Sequence, residues 1–403
     1  MSGSVHSTEA IYLDYNATAP VKPQVSEAIA KALTMAGNPS SVHQFGRDAR
    51  NAVELARDQV AAMIGARSEE VVFTAGGTEA NNMALQGAQR SRLIISAIEH
   101  PSVLRAAEAR ADTNLPDNEG NLVVLPVDGE GIVSLDALDQ ELRRSADDAL
   151  VSIMLANNET GVIQPVAEIA SLAHQRGALV HCDAVQAPGR IAFDVASLGL
   201  DMLSLSAHKF GGPKGAGALF VKGALDLQPL IIGGGQERGR RPGTENVAGI
   251  VGFGLAAELA ADDLQRAPHL LAMRDRAEQS LSDIDPNVRI FGVGAERLPN
   301  TSCLSMPGVQ SELQVMGLDL AGVAVSAGSA CSSGKVEPSH VLRALGLPDA
   351  ETGCAIRISF GWASREEEVD KLVRAWRAFY AGLRARYTSG VSKIPGNDKA
   401  AER

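Results

Sequence analysis

The sequence lacks the cysteine patterns of disulfide-bonded proteins and the long apolar runs of membrane proteins. Its four cysteines, Cys182, Cys303, Cys331 and Cys354, show no CxxC spacing and no disulfide framework. No apolar run reaches the length of a membrane-spanning helix, and residues 1–10 lack the apolar core of a secretory signal. We therefore expect a cytoplasmic protein without a membrane partner.

Basic residues and recognisable repeats are also scarce. The 403 residues contain 37 Lys and Arg against 48 Asp and Glu, for a formal net charge of −11. A nucleic-acid-binding protein is expected to carry a basic face, so this class of partner is disfavoured. No internal repeat, metal-ligand spacing or GxSxG elbow is present. The apolar share of 45% is that of a globular protein, and the length allows two domains.

Strand-like apolar runs alternate with helical patterns from residue 71 to residue 222. This alternation predicts an α/β fold with a mainly parallel sheet and helices on both faces. Polar residues follow the predicted strands, at the edge where open α/β sheets bind ligands. They are His100, Asn158, Asp183, Gln186, Ser206 and Lys209. Six such residues at successive strand ends are typical of an enzyme and are hard to reconcile with a non-catalytic scaffold.

Residues 204–222, SLSAHKFGGPKGAGALFVK, place Lys209 after a buried strand and before a loop too rich in glycine to be helical. A desolvated lysine loses its proton more readily and can form a Schiff base with a carbonyl cofactor, most commonly pyridoxal phosphate. Asp183 closes another apolar strand, where a buried carboxylate needs a cationic partner. That partner could be a protonated pyridine nitrogen or an arginine.

Glycines after the strand at residues 71–74 predict an anion-binding helix start. The sequence AGGTE leads into a helix, whose free N–H groups can bind phosphate where glycine lets the backbone approach closely. Thr78 could add its hydroxyl to that site or could be the helix N-cap. His100 could be a satisfied structural residue, and Asn38 could belong only to a turn.

Two loops in the second half of the chain contain candidate functional residues. Residues 326–339 consist of small residues around Cys331 and are expected to be mobile, which suits a reactive thiol. The other three cysteines lie in apolar contexts and are expected to be core residues. Residues 231–246 carry three arginines and could bind an anion or a partner subunit, or simply be solvated. Arg357 is the one charge of a predicted strand, suited to binding a carboxylate or to an internal ion pair.

Seven motifs together resemble the NifS/IscS-type cysteine desulfurases, which are class V, fold-type I pyridoxal-phosphate enzymes. They are AGGTEANN, EHPSV, NNETG, HCDAVQ, SAHKFGGPKG, GGGQERGRRPGT and SAGSACSSG, and the resemblance runs from residue 11 to residue 370. It implies a mainly parallel seven-stranded sheet flanked by helices, plus a smaller α+β domain. The large domain would span residues 14–262. The small domain would comprise residues 1–13 and 263–403, with the mobile cysteine loop and a flexible C-terminal tail.

The resemblance also implies a role for each cofactor-binding residue. Lys209 would bind the aldehyde of pyridoxal 5'-phosphate, Asp183 would keep the pyridine nitrogen protonated, and His100 would stack on the ring and shuttle protons. The ring oxygen would be held by Asn158 and Gln186. The phosphate would be held by Gly77, Thr78, Ser206 and His208, with Thr244 reaching it from the second subunit of a homodimer.

The implied activity is the removal of sulfur from L-cysteine. Asn38 and Arg357 would bind the substrate carboxylate, and Cys331 would take the sulfur as a persulfide, leaving L-alanine. A U-type iron–sulfur scaffold or another acceptor protein would receive the sulfur, and Cys331 could transiently ligate a [2Fe–2S] cluster. A selenocysteine lyase or a small-molecule aminotransferase would also use Lys209 and Asp183 but would not require Cys331. A cofactor-free scaffold or regulatory subunit is the alternative from another class.

Overall fold

The chain folds around a seven-stranded β-sheet. The computed structural model describes residues 10–113, 121–144, 148–223, 225–306, 308–327 and 338–388. The strands are β1 (Ile11–Tyr12), β2 (Val71–Thr74), β3 (Arg92–Ser96), β4 (Leu122–Leu125), β5 (Ala149–Ser152), β6 (Leu179–Asp183), β7 (Met202–Ser206), β8 (Gly217–Val221), β9 (Arg289–Ile290), β10 (Thr301–Ser305), β11 (Val323–Ala324), β12 (Ser326–Ala327) and β13 (Ala355–Ser359).

Helices surround this sheet and continue into the C-terminal part. They are α1 (Pro23–Ala32), α2 (Gln44–Ile64), α3 (Gly77–Gly87), α4 (Pro101–Thr113), α5 (Leu135–Arg144), α6 (Val166–His174), α7 (Val247–Gln265), α8 (Ala267–Ile284), α9 (Ser311–Leu320), α10 (His340–Ala344), α11 (Asp349–Thr352) and α12 (Glu366–Thr388). None of these described helices is both long enough and apolar enough to cross a bilayer.

The large sheet has the strand order β2-β8-β7-β6-β5-β3-β4. Strands β3 to β7 pair in parallel, whereas β8 is antiparallel to both of its neighbours, β2 and β7. Six of the seven strands therefore point the same way, which confirms the predicted mainly parallel sheet. Their carboxyl ends meet along a single edge, and the loops that follow them are brought together there.

The sheet is buried on both faces because successive side chains point to opposite sides of each strand. In β2, Val71 and Phe73 join a core with α1, α2 and α7, while Val72 joins a core with α3 and α4. In β3, Ile94 and Ile95 divide between the same two cores. This two-sided burial explains why the strands read as continuous apolar runs and not as alternating patterns.

A separate core lies in the C-terminal part of the chain. An antiparallel sheet of order β12-β13-β10-β9 packs with α8, α9 and α12 around residues such as Leu270, Ile356 and Trp376. Leu13 joins this core, and β1 pairs in parallel with β11. This core is consistent with the expected smaller α+β unit. The boundaries of the large domain, at residues 14 and 262, remain a prediction.

Candidate active site

The carboxyl edge of the large sheet borders a cavity of about 260 Å³. Loops after β2, β3, β5, β6 and β7 supply its walls, as the parallel topology requires. The predicted site residues that line it are Gly77, Thr78, His100, Asn158, Asp183, Gln186, Ser206, His208 and Lys209. The structure thus brings the proposed cofactor ligands of one chain together. It also adds Asn81, Ser102, Met154, Ala156 and Val185 to the cavity wall.

Lys209 lies on a single 3-10 turn that directly follows β7. Its Nζ donates to the carbonyl oxygens of Asn16 at 2.7 Å and Ala17 at 3.0 Å. Burial, and then the charges of Arg357 and Arg190, lower the pKa of Lys209 to about 7. A large fraction of this amine is therefore uncharged at neutral pH, where it can act as a nucleophile or a base.

The lowered pKa of Lys209 predicts unusual reactivity in the cofactor-free protein. Acylation of its Nζ by dilute acetic anhydride should rise with pH around a midpoint near 7, whereas free lysine side chains titrate near about 10.4. Mass spectrometry measures the acylated fraction of the Lys209 peptide across a pH series. Nα-acetyl-lysine in the same tube is the reference, and its acylated fraction is measured in the same way. Coincident curves for Lys209 and the reference would contradict the assignment.

Asp183 is a carboxylate without a cationic partner in the described part of the chain. It is 7% exposed, and it accepts hydrogen bonds from the Val185 backbone N–H at 3.0 Å and from Asn81 Nδ2 at 2.7 Å. Both donors are neutral, so the arginine pairing that the sequence left open is not found among the described residues. A cation bound in the cavity would complete this carboxylate's environment.

His100 follows β3 and is held by its close neighbour Ser102. The ring Nδ1 lies 2.8 Å from Ser102 Oγ and accepts the Ser102 backbone N–H at 3.1 Å. The residue lines the cavity and is exposed, yet the surrounding protein lowers the pKa of His100 by desolvation. The neutral imidazole that results can carry a proton within the cavity. His100 lines the cavity, and its role there in cofactor chemistry remains a prediction.

The first turn of α3 borders the same cavity. Gly76 is the helix N-cap and the helix begins at Gly77, so the alternative that Thr78 is the N-cap is wrong. A Cβ added to Gly77 would lie 2.9 Å from Val185 Cγ2. Glycine thus lets this backbone approach the β6 loop, with the free N–H groups of the helix start beside Thr78.

Ser206 and His208 border the same end of the cavity. Ser206 is the last residue of β7, and a Cβ on Gly76 would lie 4.0 Å from its Oγ. Burial, and then the charges of Lys209 and Lys214, lower the pKa of His208 to about 4. The ring is therefore neutral at pH 7, and its Nδ1 lies 3.2 Å from the hydroxyl of Thr18. Hydroxyl, imidazole and helix N–H groups together form a set of anion ligands.

Comparison with known proteins decides the family. The family model "Aminotransferase class-V" matches residues 11–372. The chain belongs to this family. It is 43% identical over 382 residues to a cysteine desulfurase of Trichormus azollae, covering 93% of this chain and 94% of that protein. It is 44% identical over 394 residues to a cysteine desulfurase of Cereibacter sphaeroides, covering 96% of this chain and 100% of that protein.

Solved structures give the same result. The chain is similar to a NifS-like protein from Rickettsia africae, with a TM-score of 0.85 and 36% identity over 93% of this chain and 100% of that chain. The resemblance found in the sequence motifs is confirmed, and so is the fold-type I architecture. Class V enzymes of this type use pyridoxal 5'-phosphate.

The cavity residues fit that cofactor. Lys209 offers an uncharged amine for the aldehyde carbon, and Asp183 offers a carboxylate that lacks a cationic partner for the pyridinium nitrogen. The helix start at Gly77, with Ser206 and His208, would hold the phosphate.

Asn158 and Gln186 border the cavity between these groups. Gln186 donates from Nε2 to the Asn16 carbonyl oxygen at 3.1 Å, and its Oε1 accepts from the buried Arg190. Asn158 uses its backbone carbonyl oxygen to accept from Asn16 Nδ2 at 3.1 Å. Its side-chain amide makes no hydrogen bond within the described ranges. Binding of the cofactor's ring oxygen by both amides remains a prediction.

Arg357 does not line the cavity but lies behind it. It is 4% exposed, and it donates from Nη2 to Asp14 Oδ1 at 2.7 Å and from Nη1 to the Asn158 carbonyl oxygen at 3.1 Å. The internal ion pair that the sequence left open is therefore formed. Its Nε is buried and finds no acceptor within the described residues. Binding of a substrate carboxylate by Arg357 remains a prediction.

Asn38 and Thr244 are exposed, and neither lines the cavity of this single chain. Asn38 Oδ1 accepts the Ser40 backbone N–H at 2.9 Å, which is the turn role considered from the sequence. Thr244 belongs to a loop fastened by Glu237, whose carboxylate binds Arg57 at 2.7 Å. The substrate role of Asn38 and the cofactor role of Thr244 remain predictions.

Cys331 lies outside the described residues, so its predicted mobility and reactivity are not tested here. The other three cysteines, Cys182, Cys303 and Cys354, are buried, as expected. Within the described part of the chain, no group of three or more His, Cys, Asp or Glu side chains could hold a metal ion.

Sequence reasoning missed two polar residues of the cavity, Asn81 and Ser102. Asn81 lies three positions after Thr78 in the motif AGGTEANN, which places both residues on the same face of α3. Ser102 follows His100 by two positions at the start of α4. Helical spacing from an assigned site residue was the available signal for Asn81.

Proposed function

We propose that this chain is a pyridoxal-phosphate-dependent cysteine desulfurase. It removes sulfur from L-cysteine and leaves L-alanine and a persulfide on Cys331. The Lys209 amine carries the proposal, because its pKa of about 7 and its place beside Asp183 supply the group that this chemistry needs. The identity of 43 to 44% to cysteine desulfurases over nearly the whole chain supports the choice of substrate.

The chain's own groups divide the work within the cavity. When bound, the cofactor supplies an electron sink that acidifies the substrate's Cα proton. Lys209 Nζ can accept that proton because burial holds part of it uncharged. Asp183 would hold the cofactor's protonated pyridine nitrogen, and the neutral ring of His100 can hold or release a proton at the cavity wall.

The sulfur step needs a nucleophile that the described residues do not provide. The Cys331 thiolate attacks the sulfur of the substrate and forms the S–S bond of a persulfide. The Cβ–S bond breaks, its electron pair stays with carbon, and Cβ takes a proton to become the methyl group of alanine. No external oxidant is required. A reducing compartment such as the cytoplasm would keep Cys331 available as a thiol.

The products distinguish this proposal from its rivals. With L-cysteine and dithiothreitol, the enzyme should release L-alanine and sulfide in equal amounts, measured by chromatography and by a colorimetric sulfide assay. A keto acid product without sulfide would indicate an aminotransferase, and turnover of selenocysteine alone would indicate a selenocysteine lyase. A purified protein without a visible absorbance band would support the cofactor-free alternative.

A homodimer is the proposed assembly, with Thr244 acting in the partner subunit's cavity. Thr244 is exposed in its own chain, and the same loop exposes Ile231 and Ile232 at 44% and 85%, as expected of a surface that another subunit covers. The sulfur acceptor we propose is a U-type iron–sulfur scaffold or a related protein, with Cys331 as a transient [2Fe–2S] ligand. The net charge of −11 disfavours a nucleic acid.

Complementation between subunits tests the shared site. A heterodimer of Lys209→Ala and Thr244→Ala subunits should recover about half of the wild-type activity per dimer, because one of its two sites keeps both residues. Tandem affinity purification of differently tagged subunits isolates this species. If Thr244 serves its own subunit, both sites of the heterodimer are defective, and its activity will not exceed the mean of the two parent homodimers.

A further inference from the structure

A continuous chain of hydrogen bonds joins Asp183 to His100 beneath the cavity. Asn81 Nδ2 donates to Asp183 Oδ2 at 2.7 Å and to Ser102 Oγ at 2.8 Å. Ser102 Oγ lies 2.8 Å from His100 Nδ1. The two intermediate residues, Asn81 on α3 and Ser102 on α4, thus connect the residue proposed to bind the pyridine nitrogen with the residue proposed to stack on the ring.

The direction of this chain follows from its fixed donors. The Ser102 backbone N–H can only donate, so His100 Nδ1, which it meets at 3.1 Å, is an acceptor. The Ser102 hydroxyl then donates to Nδ1 and is left to accept from Asn81. Since Nδ1 carries no hydrogen, the neutral imidazole has its proton on Nε2.

The carboxylate of Asp183, which can only accept, fixes the orientation of the Asn81 amide. The residue is 1% exposed, and its Oδ1 is buried without a hydrogen-bond partner among the described residues. Rotating the amide would direct Oδ1 at the carboxylate of Asp183 and would lose both donated hydrogen bonds. An unpaired buried oxygen is unfavourable, but the two hydrogen bonds that Nδ2 donates offset this cost.

We propose that Asn81 and Ser102 are positioning residues of the active site. Asn81 holds the carboxylate of Asp183 against the cavity and supports Ser102, which in turn keeps His100 in the tautomer protonated on Nε2. The proposal rests on the proposed cofactor roles of Asp183 and His100, but it does not depend on the identity of the substrate. Neither positioning residue needs to contact the substrate.

The ring nitrogens of His100 provide the direct test. In holoenzyme labelled with 15N-histidine, the two ring resonances should be widely separated, with Nδ1 unprotonated, and a His100→Gln variant assigns them. Asn81→Leu keeps the number and branching of the side-chain heavy atoms but removes both donors. It should move the Nδ1 resonance downfield, because the Ser102 hydroxyl that donates to Nδ1 loses the Asn81 donor that orients it. It should also lower the affinity for added pyridoxal 5'-phosphate about tenfold, because Asp183 loses a hydrogen bond made to a charged group.

Two variants of Ser102 separate the His100 end of the hydrogen-bond chain from its Asp183 end. Ser102→Ala removes the hydroxyl donor to His100 Nδ1 but keeps the backbone N–H donor. It should therefore move the Nδ1 resonance downfield, away from that of Nε2, while the cofactor affinity stays as in wild type because the Asn81–Asp183 bond remains. Ser102→Thr keeps the hydroxyl and should restore the wild-type spectrum. If Asn81→Leu fails to fold, this pair alone decides, and a spectrum unchanged by Ser102→Ala overturns the proposal.

Gln86→Leu is the matched control for Asn81→Leu. Gln86 also joins α3 to α4 through its side-chain amide, which donates to the Ala106 carbonyl oxygen at 2.9 Å. It is not part of the hydrogen-bond chain from Asp183 to His100. It should leave the His100 spectrum and the cofactor affinity unchanged. Equal effects of both variants would show that helix packing, not positioning, is responsible. A wild-type enzyme without desulfurase activity but with this tautomer pattern would contradict the proposed function alone.

Discussion

Replacing Cys331 with alanine should lower sulfide release from L-cysteine by at least about 10³-fold, because the variant loses the nucleophile that accepts the sulfur. None of the three described cysteines can replace it. Cys182, Cys303 and Cys354 are buried, and burial raises the pKa of each thiol, which disfavours the reactive thiolate. The visible absorbance of the cofactor should remain, because Cys331 has no assigned part in holding it.

The Cys331 result needs a control for the loss of any thiol. Cys354→Ala removes a buried cysteine of the C-terminal part of the chain and should retain the wild-type rate of sulfide release. Both variants are assayed with the same thiol reductant. A Cys331→Ala enzyme as active as the wild type under these conditions would show that the persulfide mechanism is wrong.

Replacing Lys209 with alanine should remove the visible absorbance band of the purified protein and lower kcat/KM by at least about 10⁴-fold. The same amine is proposed to hold the cofactor and to accept the substrate's proton, so both properties should be lost together. Lys209→Arg keeps the positive charge but offers no amine nucleophile, and it should behave like Lys209→Ala. This agreement would distinguish a chemical role from an electrostatic one.

Lys222 provides the matched lysine control. It lies just beyond β8 with a side chain that is 56% exposed, and it does not line the cavity. Lys222→Ala should retain both the band and the activity. Retention of the band in Lys209→Ala would instead place the cofactor on another lysine.

The sheet and the residues at its edge could be predicted from the sequence because they depend on local order. Apolar strands alternate with helices, and a parallel sheet then places every strand end on one side. His100, Asp183 and Lys209 each follow such a strand, so their meeting in one cavity required no knowledge of packing.

Contacts between distant parts of the chain could not be predicted in this way. The acceptors of Lys209 Nζ lie in a turn 192 and 193 residues earlier, at Ala17 and Asn16. Arg357 pairs with Asp14 across 343 residues, so the sequence could name the arginine but not its partner. Such contacts depend on how the part of the chain around the large sheet packs against the C-terminal part. Neither periodicity nor motif spacing reveals that packing.

Single-turnover sulfur transfer tests the central claim most directly. The holoenzyme is mixed with one equivalent of L-cysteine labelled at sulfur, without a reductant, and its peptides are identified by mass spectrometry. We expect one labelled sulfur on the peptide that contains Cys331 in the wild type, and none on that peptide in Lys209→Ala. Labelled sulfur on another cysteine, or labelling of Cys331 that persists without Lys209, would contradict it.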